Sequence, residues 1–339
     1  MKRTTVCLVT LSLAFVPAYA GRSAKGPVKL AVWPAKAAEA PGNLRLLPKA
    51  EDLTDADAVP LYEKAVQAMP KGVEPDQIRE WLDLPPEELP QQQAEEMVQK
   101  CMESLKLVVR ATKCRQCNWP DWTPDDGVPD LSWCKRLTFA IGLWARLEIS
   151  RGEYEDALAA TQTGFAMARH IGRAPIFTHG LVGAAVGRLM CGEIEQLIQR
   201  EDSPNLYAAL AELPRPLIDV EKAIEREKAQ LKDFDAVTRE QLEKESKTSH
   251  DRLRLVAKRL DNYVNALQAV EAIRHYAATH DGQLPAALSD ISDVKIPEDL
   301  MSGKAFAYRR TPEGAEVQSA MPEGGGPRDT IRYEITIRK

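Results

Sequence analysis

Hydrophobic residues recur every three or four positions through most of the chain, which is typical of amphipathic helices. In 91–112, for example, Met97, Cys101 and Leu105 fall on one helical face. Further helices of this kind are predicted over 131–150, 153–171 and 175–199. Because short connections join consecutive helices, we expect them to pack as antiparallel pairs in a helical domain over 57–215.

Between Ile218 and His280 the pattern predicts two long helices that carry many charged residues. In the second, apolar residues alternate three and four positions apart: Leu253, Val256, Leu260, Tyr263, Leu267 and Val270. Arg274 occupies the next position of this seam and interrupts it. The seam is long enough for two helices to pack side by side, so 216–282 is predicted to form a long charged helical hairpin.

After Asp281-Gly282 the hydrophobic period changes from that of a helix to the period of two that is typical of half-buried strands. Short runs of this kind lie over 305–309, 316–320 and 331–337. The residues 283–339 are therefore predicted to form a small antiparallel β element. The predicted fold class is mainly α, with antiparallel helical hairpins followed by this β tail.

The first twenty residues have the three parts of a secretory signal peptide. Lys2 and Arg3 are positive, 6–16 is mostly apolar, and Ala18-Tyr19-Ala20 places small residues at a cleavage site. The apolar part is shorter than the roughly twenty residues of a permanent membrane helix. We therefore predict export to the periplasm or cell envelope and a soluble protein after cleavage. Residues 21–56, rich in Pro, Ala and Lys, are predicted to be a flexible leader.

The charge of the chain narrows its range of partners. The net charge is −5, and removal of Lys2 and Arg3 with the signal peptide lowers it by two to −7. An acidic protein has no general attraction to nucleic-acid phosphates. A nucleic-acid partner is therefore not expected, and the oligomeric state is left open.

Two local patterns indicate how helices pack within the helical domain. The segment that starts at Gly152, with Tyr154, Ala157 and Ala168, resembles the second half of a tetratricopeptide-type helical pair. No second copy follows at the period of about 34 residues that an array requires. The helix predicted over 175–199 has a face of small residues, Gly180, Gly183, Ala184 and Gly187. This face predicts the close approach of a neighbouring helix.

The C-terminal region resembles a known family. The segment His280-Asp-Gly-Gln-Leu284-Pro285 is followed in order by Ser302-Gly-Lys304 and Phe306-Ala-Tyr308. This order resembles the soluble tail of type II secretion major pseudopilins, in which a helix leads through a turn into a β-hairpin. A similar tail ends many uncharacterised exported proteins of planctomycete-type bacteria. In those proteins it follows an all-helical domain with a Cys-x-Trp segment, and Cys117-Asn118-Trp119 is similar to that segment.

The resemblance implies an architecture and no activity. The chain lacks the apolar N-terminal helix through which pseudopilins polymerise, so a pilus subunit is not expected. The region 323–329 keeps only scattered carboxylates of the acidic loop that binds calcium in pseudopilins. A calcium site needs six to eight oxygen ligands, so no metal or other cofactor is expected.

Four cysteines lie close together in sequence around one loop: Cys101, Cys114, Cys117 and Cys134. An oxidising compartment favours disulfides, so a structural disulfide among these four is the first prediction. Free core thiols, a zinc site and a redox-active pair are the alternatives. The zinc alternative has a single Cys-x-x-Cys and no nearby histidine. The redox alternative lacks a cysteine at a helix N-terminus.

Three tryptophans accompany these cysteines, Trp119, Trp122 and Trp133. They are predicted either to pack as a loop core or to line a groove. The chain contains no His-Glu-x-x-His, Gly-x-Ser-x-Gly or phosphate-loop motif, and no catalytic residue is assigned. The sequence therefore favours a non-enzymatic interaction or scaffolding protein with a protein partner in the envelope. The alternative is an exported enzyme, or a metal or redox protein, with its site at the loop 114–134.

Overall fold

A computed structural model of the chain describes residues 26–40, 42–120, 130–230 and 236–339. The predicted signal peptide lies outside the described residues. The α-helices are α1 (Val59–Ala68), α2 (Pro75–Leu82), α3 (Gln91–Thr112), α4 (Ser132–Arg151), α5 (Tyr154–Gly172), α6 (Phe177–Leu197), α7 (Tyr207–Ala211), α8 (Glu221–Gln230) and α9 (Ala236–Thr279). The strands are β1 (Val28–Val32), β2 (Thr54–Asp57), β3 (Cys114–Gln116), β4 (Glu298–Asp299), β5 (Lys304–Ala305), β6 (Ala307–Arg310), β7 (Ala315–Gln318) and β8 (Arg332–Ile337). The prediction of a mainly helical protein with a small sheet region is confirmed.

Helices α3 to α6 pack against one another, and their apolar faces supply 28 of the 69 described residues of the buried core. The predicted break between α4 and α5 is confirmed, because Gly152 ends α4 with a left-handed φ of 78°. Helix α6 lies very close to α5. A Cβ atom added to Gly183 would stand 2.8 Å from the carbonyl oxygen of Ala168, so the predicted small-residue face of α6 does permit close helix contact.

Helix α9 is 44 residues long, and the burial of its side chains changes along its length. From Leu253 onward most of its apolar side chains are buried, including Leu260 and Leu267 of the predicted seam, while Val256 of the seam is half-buried. Helix α8 lies beside it, since Arg254 Nε and Nη2 each donate to a carboxylate oxygen of Glu221 at 2.8 Å.

The main sheet has the strand order β1-β8-β7-β6. The predicted tail strands β6, β7 and β8 pair antiparallel, whereas β1 pairs parallel to β8, with Val28 opposite Tyr333. Two expectations are thereby corrected. Residues 28–32, predicted to lie in a flexible leader, are a strand whose Leu30 and Val32 are buried, and the sheet is not wholly antiparallel. The apolar alternation of β1 covers only five residues, and its partner is about three hundred positions away.

The tail is attached to α9 and α6 through polar side chains. Asn262 Nδ2 donates to Asp299 at 2.8 Å, and Asn265 Nδ2 donates to the Glu298 carbonyl at 2.9 Å. The hydroxyl of buried Tyr333 donates to Glu195 at 2.9 Å. These bonds fix the β tail on the helical layer. Within the described part of the chain, none of the helices combines the length and apolar character needed to span a bilayer.

Candidate functional site

The aromatic cluster of the predicted cysteine–tryptophan loop forms around Tyr62. Helix α1 begins with Pro60 in its first turn and directs Tyr62 inward, where only 1% of the residue is exposed. The ring of Trp119 stacks on Tyr62 with 6.0 Å between centroids and 12° between planes. Trp133, from the start of α4, lies 6.1 Å from Tyr62 and 5.7 Å from Trp119. Two of the three predicted tryptophans therefore meet, and Trp122 lies outside the described residues.

His170, near the end of α5, completes one side of this cluster. The Tyr62 hydroxyl lies 3.0 Å from His170 Nδ1, and Trp119 Nε1 donates to the His170 carbonyl at 2.7 Å. The ring of His170 also hydrogen-bonds to the backbone of Cys114. A neutral imidazole has one donor and one acceptor nitrogen, so the direction of the Tyr62–His170 hydrogen bond follows the tautomer of the ring. Burial, followed by the charges of Arg173 and Arg169, lowers the pKa of His170 to about 4, so the ring is neutral at physiological pH.

His179, in the first turns of α6, lies on the other side of Trp119. The two ring centroids are 5.8 Å apart, and His179 is 5% exposed. Burial lowers the pKa of His179 to about 4. Its Nδ1 is buried and has no hydrogen-bond partner among the described residues.

The predicted cysteine cluster is brought together in part. Cys114, Cys117 and Cys134 are close enough to Tyr62 to raise the pKa of its hydroxyl, after the larger effect of burial. Cys101 lies apart on α3, where its Sγ is 3.8 Å from Met69 Sδ.

No disulfide joins the cysteines of the described residues, in contrast to the first prediction for this loop. All five of them, including Cys191, are free thiols. The physical reason is that they are placed on different parts of the fold: on α3, at the start of β3, after β3, in the first turn of α4 and on α6, with only Cys117 half-buried and the others buried. Proximity in sequence did not predict pairing in space.

Four of these thiols, Cys101, Cys117, Cys134 and Cys191, are protonated at neutral pH. Burial raises the pKa of Cys101 to about 11 and, together with the charge of Asp57, that of Cys117 to about 12. Burial also raises the pKa of Cys134 well above its ordinary value. A nucleophile or a metal ligand requires the thiolate, so this environment opposes both roles. The described residues also contain no group of three or more His, Cys, Asp or Glu side chains placed to hold a metal ion.

The arrangement is a neutral, packed junction between α1, α4, α5, α6 and the segment after β3. Sequence reasoning found Trp119, Trp133 and the cysteines but missed Tyr62, His170 and His179. In the sequence, the only indication that Tyr62 would be buried was its position on an apolar helical face. The two histidines stand far from the loop in sequence, and only the packing of α5 and α6 brings them to it.

Replacing Tyr62 by phenylalanine is expected to reduce the free energy of unfolding by about 1–2 kcal/mol, because Nδ1 of buried His170 loses its hydrogen-bond partner. Urea unfolding measures the change. Tyr154→Phe is the matched control, since the Tyr154 hydroxyl donates to the Glu201 carbonyl at an exposed site and its loss should matter less. Equal effects of the two substitutions would contradict this assignment of the Tyr62 hydrogen bond.

Comparison of the chain with protein-family models, with curated proteins and with solved structures finds no match in any of the three.

Proposed function

We propose that the chain is an exported, non-enzymatic interaction protein of the periplasm or cell envelope that binds a protein partner through the first third of α9. The proposal rests on the difference in side-chain burial between the two parts of this helix. Beyond Leu253 most of its apolar side chains are buried. Before that point Ser246 and His250 are buried, whereas the other described side chains are exposed, among them Glu240, Gln241, Glu243, Lys244, Lys247, Thr248 and Ser249.

The length of this exposed part suits a docking element. The residues 236–249 extend for about 20 Å at 1.5 Å per residue. Val237 is 78% exposed, which is unusual for a large apolar residue of this chain. Charges of both signs alternate along the surface, which suits a protein surface of mixed charge better than a polyanion.

In this proposal α8 and α9 act as the charged helical hairpin predicted over 216–282. The paired hydrogen bonds from Arg254 to Glu221 support it. A second contact joins His250 Nε2 and Glu227 at 3.2 Å. Residues 221 and 227 thus face residues 254 and 250, so the two helices run in opposite directions. We also propose that α4 and α5 form a tetratricopeptide-like helical pair in the domain that carries this hairpin. Ala157 of α5 is buried, as such a pair requires.

We further propose that the tail is a pseudopilin-like element. In this proposal the whole chain is an exported protein of the planctomycete type. Support comes from a hydrogen bond between the two segments that carry the resemblance. The Tyr308 hydroxyl of the hairpin segment donates to the Pro285 carbonyl of the turn segment at 2.8 Å. Phe306 of the same Phe-x-Tyr segment is 3% exposed. This hydrogen bond links the turn to the β-hairpin, which supports reading the two segments as parts of one tail.

Site-specific photo-crosslinking tests the proposal. A photoreactive residue at Lys244 is expected to give a discrete crosslinked species in envelope fractions. The same residue at Lys64, which is exposed on α1, is expected to give none. The crosslinked partner, identified by mass spectrometry and purified, should bind the wild-type protein and lose affinity for Lys244→Glu/Lys247→Glu.

Two results would contradict the proposal. One is an identical crosslinking pattern at Lys244 and Lys64. The other is a protein that stays in the cytoplasmic fraction with Met1 intact, since cleavage after Ala20 sets the N-terminus at Gly21.

A further inference from the structure

A small cavity with arginines in its wall lies between the end of α5 and the start of β3. Its volume is about 90 Å³, and its polar wall includes Arg115, Arg169, His170 and Arg173. Leu47 and Leu53 form part of its apolar wall. A single water needs about 10–15 Å³ of such space, so the cavity has room for a group of several non-hydrogen atoms.

Arg169 is the cation that the surrounding protein leaves unbalanced. It is half-buried on α5, and no acidic side chain among the described residues pairs with it. Burial, followed by the charge of Arg173, lowers the pKa of Arg169. Partial burial of a cation without a counterion is unfavourable, and none of the five N–H donors of this guanidinium is engaged by another described residue.

The other two arginines are held in place by the protein. Arg115 Nε donates to Asp55 at 3.0 Å, and Arg115 Nη2 donates to the Ala50 carbonyl at 3.4 Å. Arg173 Nη1 donates to the Arg115 carbonyl at 3.3 Å. These bonds fix the two side chains at the cavity and leave other N–H donors on each of them.

The balance of charge at the cavity is positive. Asp55 offsets one of the three arginines. Asp57 is also nearby, and its carboxylate accepts backbone N–H groups of Val59 at 3.2 Å and Asn118 at 3.0 Å. The pKa of His170 agrees with a positive balance of charge. Arg173 and Arg169 each lower this pKa by more than Asp57 raises it.

We propose that this cavity binds a small tetrahedral oxyanion of the sulfate or phosphate type, with Arg169 as its principal ligand. Arg115 and Arg173 add charge from the cavity rim, and guanidinium groups bind such oxyanions through paired N–H donors. His170 forms a neutral wall, since its ring nitrogens are already engaged by Tyr62 and the Cys114 backbone. The site is separate from the exposed part of α9 and does not depend on its function.

Isothermal titration calorimetry of the purified protein tests the site, with sodium sulfate or sodium phosphate titrated at constant ionic strength in chloride. Saturable binding of one oxyanion is expected for the wild type. Arg169→Gln should weaken it at least tenfold, and Arg169→Lys should restore part of it, because lysine keeps the charge and loses the planar fork. The control is Arg79→Gln on α2, an exposed arginine far from the cavity in sequence, which should bind as the wild type does.

Thermal unfolding separates a ligand from a structural role. In chloride, Arg169→Gln should melt no lower than the wild type, because it removes an unpaired cation. Sulfate raises the melting temperature of both proteins through its general effect on protein stability, and the wild type should gain more because it also binds the ion. A variant that melts lower in chloride and gains as much in sulfate would overturn the proposal.

Further ligands define the chemistry of the site. Acetate should bind more weakly than sulfate, because a monoanion leaves part of the positive charge unbalanced. Titration with glycerol phosphate tests whether the site takes a free ion or the phosphate group of an ester. The small volume of the cavity favours the free ion. Equal binding of acetate and sulfate, or equal sulfate binding by the wild type and Arg169→Gln, would refute a specific oxyanion site.

Discussion

Replacing Arg274 by methionine is expected to lower the free energy of unfolding by about 4 kcal/mol, because the substitution leaves a buried carboxylate without its partner. Arg274 and Glu271 are both 0% exposed, and Arg274 Nη1 lies 2.9 and 3.0 Å from the two carboxylate oxygens. The same guanidinium donates to the Trp33 carbonyl at 2.9 Å and to the Ser203 carbonyl at 3.0 Å. The substitution therefore also leaves buried carbonyls without donors.

Chemical denaturation of the wild type, Arg274→Met and the double variant Glu271→Leu/Arg274→Met measures this effect. The double variant should recover part of the loss, since removing both charges leaves no unpaired ion in the core. Burial already raises the pKa of Glu271, against the effect of Arg274. In the single variant that carboxyl should therefore take up a proton more readily. A single variant that loses less than about 1 kcal/mol would show that the pair contributes little.

Replacing Gly183 by alanine is expected to lower the free energy of unfolding by about 2 kcal/mol. The added methyl would meet backbone atoms of α5, namely the Ala168 carbonyl oxygen at 2.8 Å and the Gly172 nitrogen at 3.1 Å. Backbone atoms of a packed helix cannot rotate away as a side chain can, so α5 and α6 have to separate.

Gly192→Ala is the matched control on the same helix. A methyl at Gly192 would meet only the Arg188 Nη1 atom, at 3.8 Å. Since alanine favours a helix over glycine by about 0.5–1 kcal/mol, this variant should be at least as stable as the wild type. Urea unfolding of both variants gives the comparison. Similar destabilisation by the two substitutions would indicate a general intolerance of α6 and not a close contact at Gly183.

Local patterns in the sequence predicted much of the helical framework. The period of three and four positions predicted α3 to α6 and most of the buried face of α9, because that period is a property of each helix alone. The glycines of α6 similarly indicated a close helix contact. Arg274 shows where this kind of argument fails. In sequence it only interrupts an apolar seam, whereas in the fold it binds Trp33 and Ser203 from two remote segments.

The candidate site was predicted less completely for the same reason. The loop residues Trp119, Trp133, Cys114 and Cys117 are neighbours in sequence, so composition alone pointed to them. Tyr62 and the two histidines enter the cluster from three different helices. A disulfide was predicted from compartment and spacing, and pairing depends instead on the relative positions of separate elements.

What the sequence by itself determined is the helical class, the break at Gly152, the short strands of the tail and the residues of the aromatic loop. Each of these follows from local periodicity, turn residues or composition. The tertiary structure alone decided that β1 joins β8, that the five cysteines of the described residues are free thiols, and that Arg169 faces a cavity with two other arginines. These features depend on contacts between segments far apart in the chain, and such contacts leave no local pattern.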